Sequence, residues 1–150
     1  MKKILTAAIF LLVSNILLAQ IQNPVNWTAT AKKIADKTYE IHLTANINNG
    51  WHIYSQTTPD GGPVPTSISF TKNPLFQLQG TAKEVGKLEK HNEPLFGVDV
   101  KQFSNKVDFV QVVKLKANVK TSADVAVEFM VCNDKQCLPP ATKKFSVALR

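Results

Sequence analysis

Period-two alternation dominates this chain. In Tyr39-Glu40-Ile41-His42-Leu43-Thr44-Ala45-Asn46-Ile47 every odd position is apolar and every even one polar, the pattern of a strand with one buried face. Asn48-Asn49-Gly50 reads as a turn into Trp51-His52-Ile53-Tyr54. Pro59-Asp60-Gly61-Gly62-Pro63 with Pro65 marks a loop, and residues 67–70 resume a short strand. Residues 83–97 are polar and broken by Gly86 and by Pro94-Leu95-Phe96-Gly97, so no strand is assigned there. Later strands are predicted over 98–103, 106–115, 125–132 and 145–149. No segment has the apolar spacing of an amphipathic helix, and there is no internal repeat, linker or second domain. Many short strands between turns predict an all-β chain, and an immunoglobulin-like β-sandwich is the expected fold.

The first residues follow a different pattern. Lys2 and Lys3 precede an apolar run from Ile4 to Val13, continued by Ile16 to Leu18. This is the layout of a secretory leader, with cleavage expected after Ala19 even though Leu17 is larger than the residue usual there. The run is interrupted by Ser14 and Asn15 and is short for a membrane span, which needs about 20 apolar residues. An uncleaved anchor is therefore the less favoured alternative. No cysteine follows Ala19 to carry a lipid, and no paired arginines precede the run. The expected product is one exported domain, residues 20–150, preceded by a signal peptide at 1–19.

Charge removes one class of function. Losing Lys2 and Lys3 lowers the formal net charge from +7 to +5, and Arg150 is the only arginine. The lysines are scattered, several of them alternating along strand-like runs, as on a solvated sheet face or a protected sheet edge. A nucleic-acid surface would gather arginines and aromatics in one patch; no nucleic-acid partner is expected.

The two cysteines of the chain, Cys132 and Cys137, lie close together in Cys132-Asn133-Asp134-Lys135-Gln136-Cys137-Leu138-Pro139-Pro140. An exported pair most often forms a disulfide, but this one makes a poor staple. The chain-entropy model gives roughly 2 kcal/mol for closing six residues, against about 4 kcal/mol for some sixty. Such a bond suits redox exchange better than bracing. Val125, Val127, Phe129 and Val131 share one strand face and Glu128, Met130 and Cys132 the other, so Cys132 is expected at a strand end on the more accessible side. The turn residues that follow set the sulfurs across the mouth of a hairpin, at a Cα separation within roughly 4.4–6.8 Å.

These residues resemble the N-terminal domain of the thiol:disulfide interchange protein DsbD family. There a cysteine pair around a short polar or glycine-rich loop runs into aromatic-Pro-Pro-Glu-Thr-Lys, matched here by Leu138-Pro139-Pro140-Ala141-Thr142-Lys143. Gly50-Trp51-His52-Ile53-Tyr54 is similar to the family's Gly-aromatic-aromatic-x-Tyr strand, and Glu93-Pro94-Leu95-Phe96-Gly97 to its acidic-aromatic cap loop. Departures are visible. Four residues separate the cysteines where five are commoner, Leu138 replaces an aromatic residue, and His52 replaces an aromatic hydroxyl. Glu93 stands alone where two acids are usual, and Pro94 and Leu95 leave Phe96 as the only cap ring.

The resemblance implies an immunoglobulin-like sandwich and a protein-disulfide reductase activity in the periplasm. A membrane-embedded DsbD-like donor or a thioredoxin-like domain would supply electrons, and oxidised periplasmic proteins would receive them. Cys132 and Cys137 would cycle between dithiol and disulfide through mixed disulfides, with Cys137 as the attacking residue. His52, Tyr54, Glu93, Leu95 and Phe96 would form the cap and its support. The family protein continues into membrane and thioredoxin-like domains, so a chain ending at Arg150 is expected to be a stand-alone, monomeric shuttle. No cofactor or metal is expected, since two cysteines and scattered His42, His52 and His91 do not make a zinc set. Taken without the resemblance, His52 reads as a strand-surface residue and Trp51 as core. The competing function is a non-catalytic secreted binding module with a structural disulfide.

Overall fold

The computed structural model describes residues 23–150; the leader expected at 1–19 lies outside them. Eleven strands run in the order β1 (Val25–Ala35), β2 (Thr38–Ile47), β3 (His52–Tyr54), β4 (Ser67–Phe70), β5 (Phe76–Gly86), β6 (Glu89–Glu93), β7 (Val98–Ser104), β8 (Lys106–Leu115), β9 (Thr121–Phe129), β10 (Val131–Cys132) and β11 (Ala141–Leu149). They form three sheets with the orders β1-β2-β8-β5, β10-β3-β7-β6 and β11-β9-β4, and every pairing is antiparallel. No helix occurs among the described residues, and none there is long and apolar enough to cross a membrane. The fold is the expected all-β, immunoglobulin-like sandwich.

Alternation fixes which face each strand buries. On β2, Tyr39, Ile41, Leu43, Ala45 and Ile47 are buried, and on β8 Val107, Phe109, Val113 and Leu115 join them. From the opposite sheet β9 supplies Ala123, Val125, Val127 and Phe129. Phe109 stands at the centre: its ring stacks on Trp27 at 5.8 Å and meets Phe103 edge-on at 6.4 Å.

One polar side chain enters this core with its partners. Gln111 is buried on β8, and its Nε2 donates to the carbonyls of Gln79 and Gly80 at 3.3 Å each and of Val112 at 2.9 Å. The β5–β8 register slips between Gln79 and Lys83, which takes these β5 carbonyls out of the regular ladder. Off the ladder these carbonyls need another donor, and the Gln111 amide supplies it.

Three strands escape the sequence pattern. β1 and the first part of β5 were not assigned, and the end of β5 with all of β6 falls in the 83–97 region read as polar and broken. Most residues of β5 and β6 are exposed, since both lie at sheet edges. An edge strand takes its stability from backbone pairing and leaves little apolar alternation to read.

Truncating Phe109 to alanine removes the ring that joins both layers. The expected loss is about 3–5 kcal/mol, read as a lowered midpoint in urea denaturation with secondary structure retained in the remaining folded fraction.

Candidate functional site

The cysteine hairpin begins where the chain changes sheets. β9 pairs with β11 and β4, but after Met130 the chain continues as β10, which pairs with β3. Face parity survives the switch: Val131 joins the main core, and Cys132 points to the opposite side of its new sheet. That side is closed. Cys132 is 0% exposed and packs with Tyr54 and Val100, flanked by Val98, Met130 and Cys137. The expected accessible position is therefore corrected. Glu128 lies exposed on β9, and its environment says nothing about a residue four places on, in another sheet with its own small apolar cluster.

Asn133 builds the turn. Its Oδ1 accepts from the backbone amides of Lys135 and Gln136, each at 2.9 Å, a local bond that asparagine makes readily in turns. The amide of Asn133 bonds to the carbonyl of Gln136, and that of Leu138 to the carbonyl of Val131, both at 2.9 Å. Between these bonds Cys132 and Cys137 form the non-hydrogen-bonded pair, where opposed strands come closest. They are joined as a disulfide with Cα atoms 4.1 Å apart, just short of the expected lower bound of roughly 4.4 Å, because opposed strands approach closest at such a pair. Cys137 is partly exposed, so the two cysteines differ in exposure.

Across β10 from Cys132 lies His52, its register partner on β3. Tyr54 follows two residues on, on the same face. His52 is 6% exposed and Tyr54 0%, so the surface reading of His52 is also corrected. Trp51, read as core, is half-buried against it. Glu93, at the end of β6, is 1% exposed: its carboxylate lies beneath the loop it introduces. The Tyr54 hydroxyl donates to Glu93 Oε2 at 2.8 Å, and His52 Nε2 lies 3.2 Å from the same oxygen and 3.1 Å from the hydroxyl. An imidazole protonated at Nε2 satisfies this trio, with both side chains donating to the carboxylate.

The electrostatics follow from burial. Desolvation holds the His52 imidazole below its ordinary 6.5, while Glu93 and then Asp134 pull the other way and His91 adds to the lowering. Burial first, and the bond to Glu93 second, raise the Tyr54 phenol well above 10.0. At neutral pH both are neutral donors around one carboxylate.

Leu95 and Phe96 occupy the exposed tip between β6 and β7, 47% and 38% exposed. The amides of Phe96 and Gly97 bond back to the Glu93 carbonyl at 3.1 and 2.7 Å, and Gly97 takes φ +67°, which glycine adopts without a Cβ penalty. The long loop after β3 abuts this tip: a Cβ on Gly62 would sit 2.6 Å from Val98 Cγ2 and 4.0 Å from Phe96 Cβ. Met130 was placed on the face of Cys132 by strand parity, whereas Val98 and Val100 were not singled out in the sequence. Their alternation was visible, but only the pairing of β7 with β3 brings them to the sulfur. Among the described residues no group of three or more His, Cys, Asp or Glu is set to hold a metal.

A short disulfide with Cys132 buried and Cys137 partly exposed lies on the outer face of the β-sandwich, an arrangement open to thiol–disulfide exchange. Residues 21–149 match the family described as thiol:disulfide interchange protein DsbD, N-terminal, and the chain belongs to that family. The fold is similar to the reduced N-terminal domain of DsbD from Neisseria meningitidis, at 14% identity and TM-score 0.54, over 85% of this chain and 90% of that one. The Neisseria meningitidis DsbD N-terminal domain in complex with the PilB N-terminal domain is similar at 13% identity and TM-score 0.50, over 85% and 87%. The N-terminal periplasmic domain of ScsB from Proteus mirabilis is similar at 17% identity and TM-score 0.50, over 83% of this chain and 44% of that one. A search among curated proteins finds no sequence match.

Because folding holds His52 neutral, unfolding at acid pH takes up a proton there. The stability tied to this group is complete above pH 6.5 and declines as pH falls below it. Between neutral pH and about pH 5, the urea midpoint of the parent domain should therefore fall further than that of His52→Gln.

Proposed function

We propose that residues 20–150, freed of a leader at 1–19, act in the periplasm as a monomeric shuttle of reducing equivalents. A membrane-embedded or thioredoxin-like donor reduces the Cys132–Cys137 disulfide, and the resulting dithiol reduces disulfides of periplasmic clients. The observation that carries this reading is the placement of the disulfide: it spans one six-residue hairpin and ties no two sheets together. A related Neisseria domain in complex with the PilB N-terminal domain supports a protein partner.

The greater exposure of Cys137 supports an order of steps. A donor thiolate attacks the sulfur of Cys137, the more exposed cysteine, and the electron pair of the broken bond passes to Cys132. The donor's second thiolate then attacks its own sulfur in the mixed disulfide, and the donor leaves oxidised. The reduced pair repeats the chemistry on a client, with Cys137 attacking first. Leu95 and Phe96 guard the approach to the pair and move when a partner docks.

Equilibration of the purified domain with a thiol redox buffer tests the function. A shuttle should sit at roughly −120 to −270 mV, whereas a structural bond lies below about −300 mV; a value in the second range would sink the proposal. Replacing Leu95 and Phe96 together with alanine should speed reduction by glutathione several-fold, with circular dichroism unchanged. An unchanged rate in a folded variant would remove the guarding role.

A further inference from the structure

Resting on the exchange reading above, we propose that His52 is the charge partner of Cys132: neutral while the disulfide is intact, protonated when exchange releases Cys132 as a thiolate. β10 meets β3 through only two register pairs, and one of them is Cys132 with His52. Both side chains are buried, at 0% and 6% exposure. A thiolate formed there without a positive neighbour would carry the full cost of an unpaired buried charge.

The other groups that face this position do not supply that charge. Glu93 from β6 and Asp134 from the cysteine turn are acids, and Asp134 acts on His52 electrostatically. The Tyr54 hydroxyl is neutral and committed to Glu93 at 2.8 Å. His91 and Glu89 on β6, Lys135 in the turn and Ser104, which pairs with His52 from β7 and donates to Glu89 Oε2 at 3.0 Å, complete the set, and Glu89 is a further acid. His91 and Lys135 are exposed, and serine carries no charge. His52 alone in this set is buried and able to become a cation. Its Nε2 bond to Glu93 is strengthened when it does, so the imidazolium would stand between the carboxylate and the thiolate.

The protons balance. A donor carrying one thiolate and one thiol attacks Cys137, the Cys132–Cys137 bond breaks, and Cys132 keeps the electron pair. The donor's second thiol gives its proton to His52 through solvent, then attacks as a thiolate and frees Cys137. Cys137 takes from solvent the proton that the donor's first thiol had lost. The donor has given up two electrons and two protons; the domain holds both electrons, with one proton on His52 beside the Cys132 thiolate and one on Cys137.

Coupling between the two groups is mutual, which gives the test two independent readings. Nuclear magnetic resonance titration of the parent domain should show the His52 midpoint rising from the disulfide to the dithiol form. In His52→Gln, ultraviolet absorbance should show the Cys132 thiolate forming only at higher pH. Reduction by dithiothreitol should slow several-fold, because a leaving thiol of higher pKa departs more slowly, and its pH profile should lose an inflection. If the His52 midpoint is the same in both redox states, and the variant keeps the parent's thiolate titration, the charge-partner role is overturned while exchange stands. If instead dithiothreitol fails to reduce the parent at all, it is the exchange reading that fails. Should the variant not fold, the two titrations of the parent decide the matter alone.

Discussion

The site depends on the pairing of β10 with β3, two residues long. The chain leaves β9 at Phe129, passes Met130, and joins another sheet as Val131–Cys132. This pairing keeps Val131 in the main core and turns Cys132 outward against His52. Switching sheets at a bend is an established way of closing a sandwich corner. Here the same bend brings a cysteine loop, a strand carrying histidine and tyrosine, and the end of a third strand carrying glutamate into contact.

Two cores result, with different duties. The larger, centred on Phe109, Trp27 and the buried faces of β2, β8 and β9, contains neither cysteine. The smaller is Tyr54, Val100 and Cys132 with a few flanking side chains, on the outer face of the β10-β3-β7-β6 sheet. Stability drawn mainly from the first leaves the second free to change its bonding. That division is what a redox pair requires, since a disulfide that held the main core would make reduction equivalent to unfolding.

The smaller core is also where polar groups are kept dry. Glu93 is buried but not unpaired, because Tyr54 and His52 both reach its Oε2. A carboxylate desolvated in this way is tolerated only with its donors in place. The same bonds tie β6 to β3 and so fix the base of the Leu95–Phe96 tip relative to the sulfurs. The loop that follows β3 is tied to β7 in turn: Thr58 Oγ1 donates to the Lys101 carbonyl and accepts from its amide, each at 2.8 Å.

Much of this was legible in the residues. Alternation at 39–47 marked β2 and its buried face, and the run at 106–115 marked β8, because a half-buried strand in mid-sheet must alternate. The spacing of Cys132 and Cys137 around Asn133-Asp134-Lys135-Gln136 gave the hairpin, because turn chemistry is local. Edge strands β5 and β6 were not legible, since backbone pairing holds them and leaves no periodic mark. Nor was the burial of Cys132, His52 and Glu93. They lie 41 and 39 positions apart along the chain where Glu93 bonds to His52 and Tyr54, and no local pattern reports a contact made across three strands. The sequence determined where the two cysteines and their turn lie and which face of β2 is apolar, both being properties of short segments. Only the tertiary structure decided that Cys132 is buried and Cys137 partly exposed, because that depends on which sheet β10 joins and on what covers its far side.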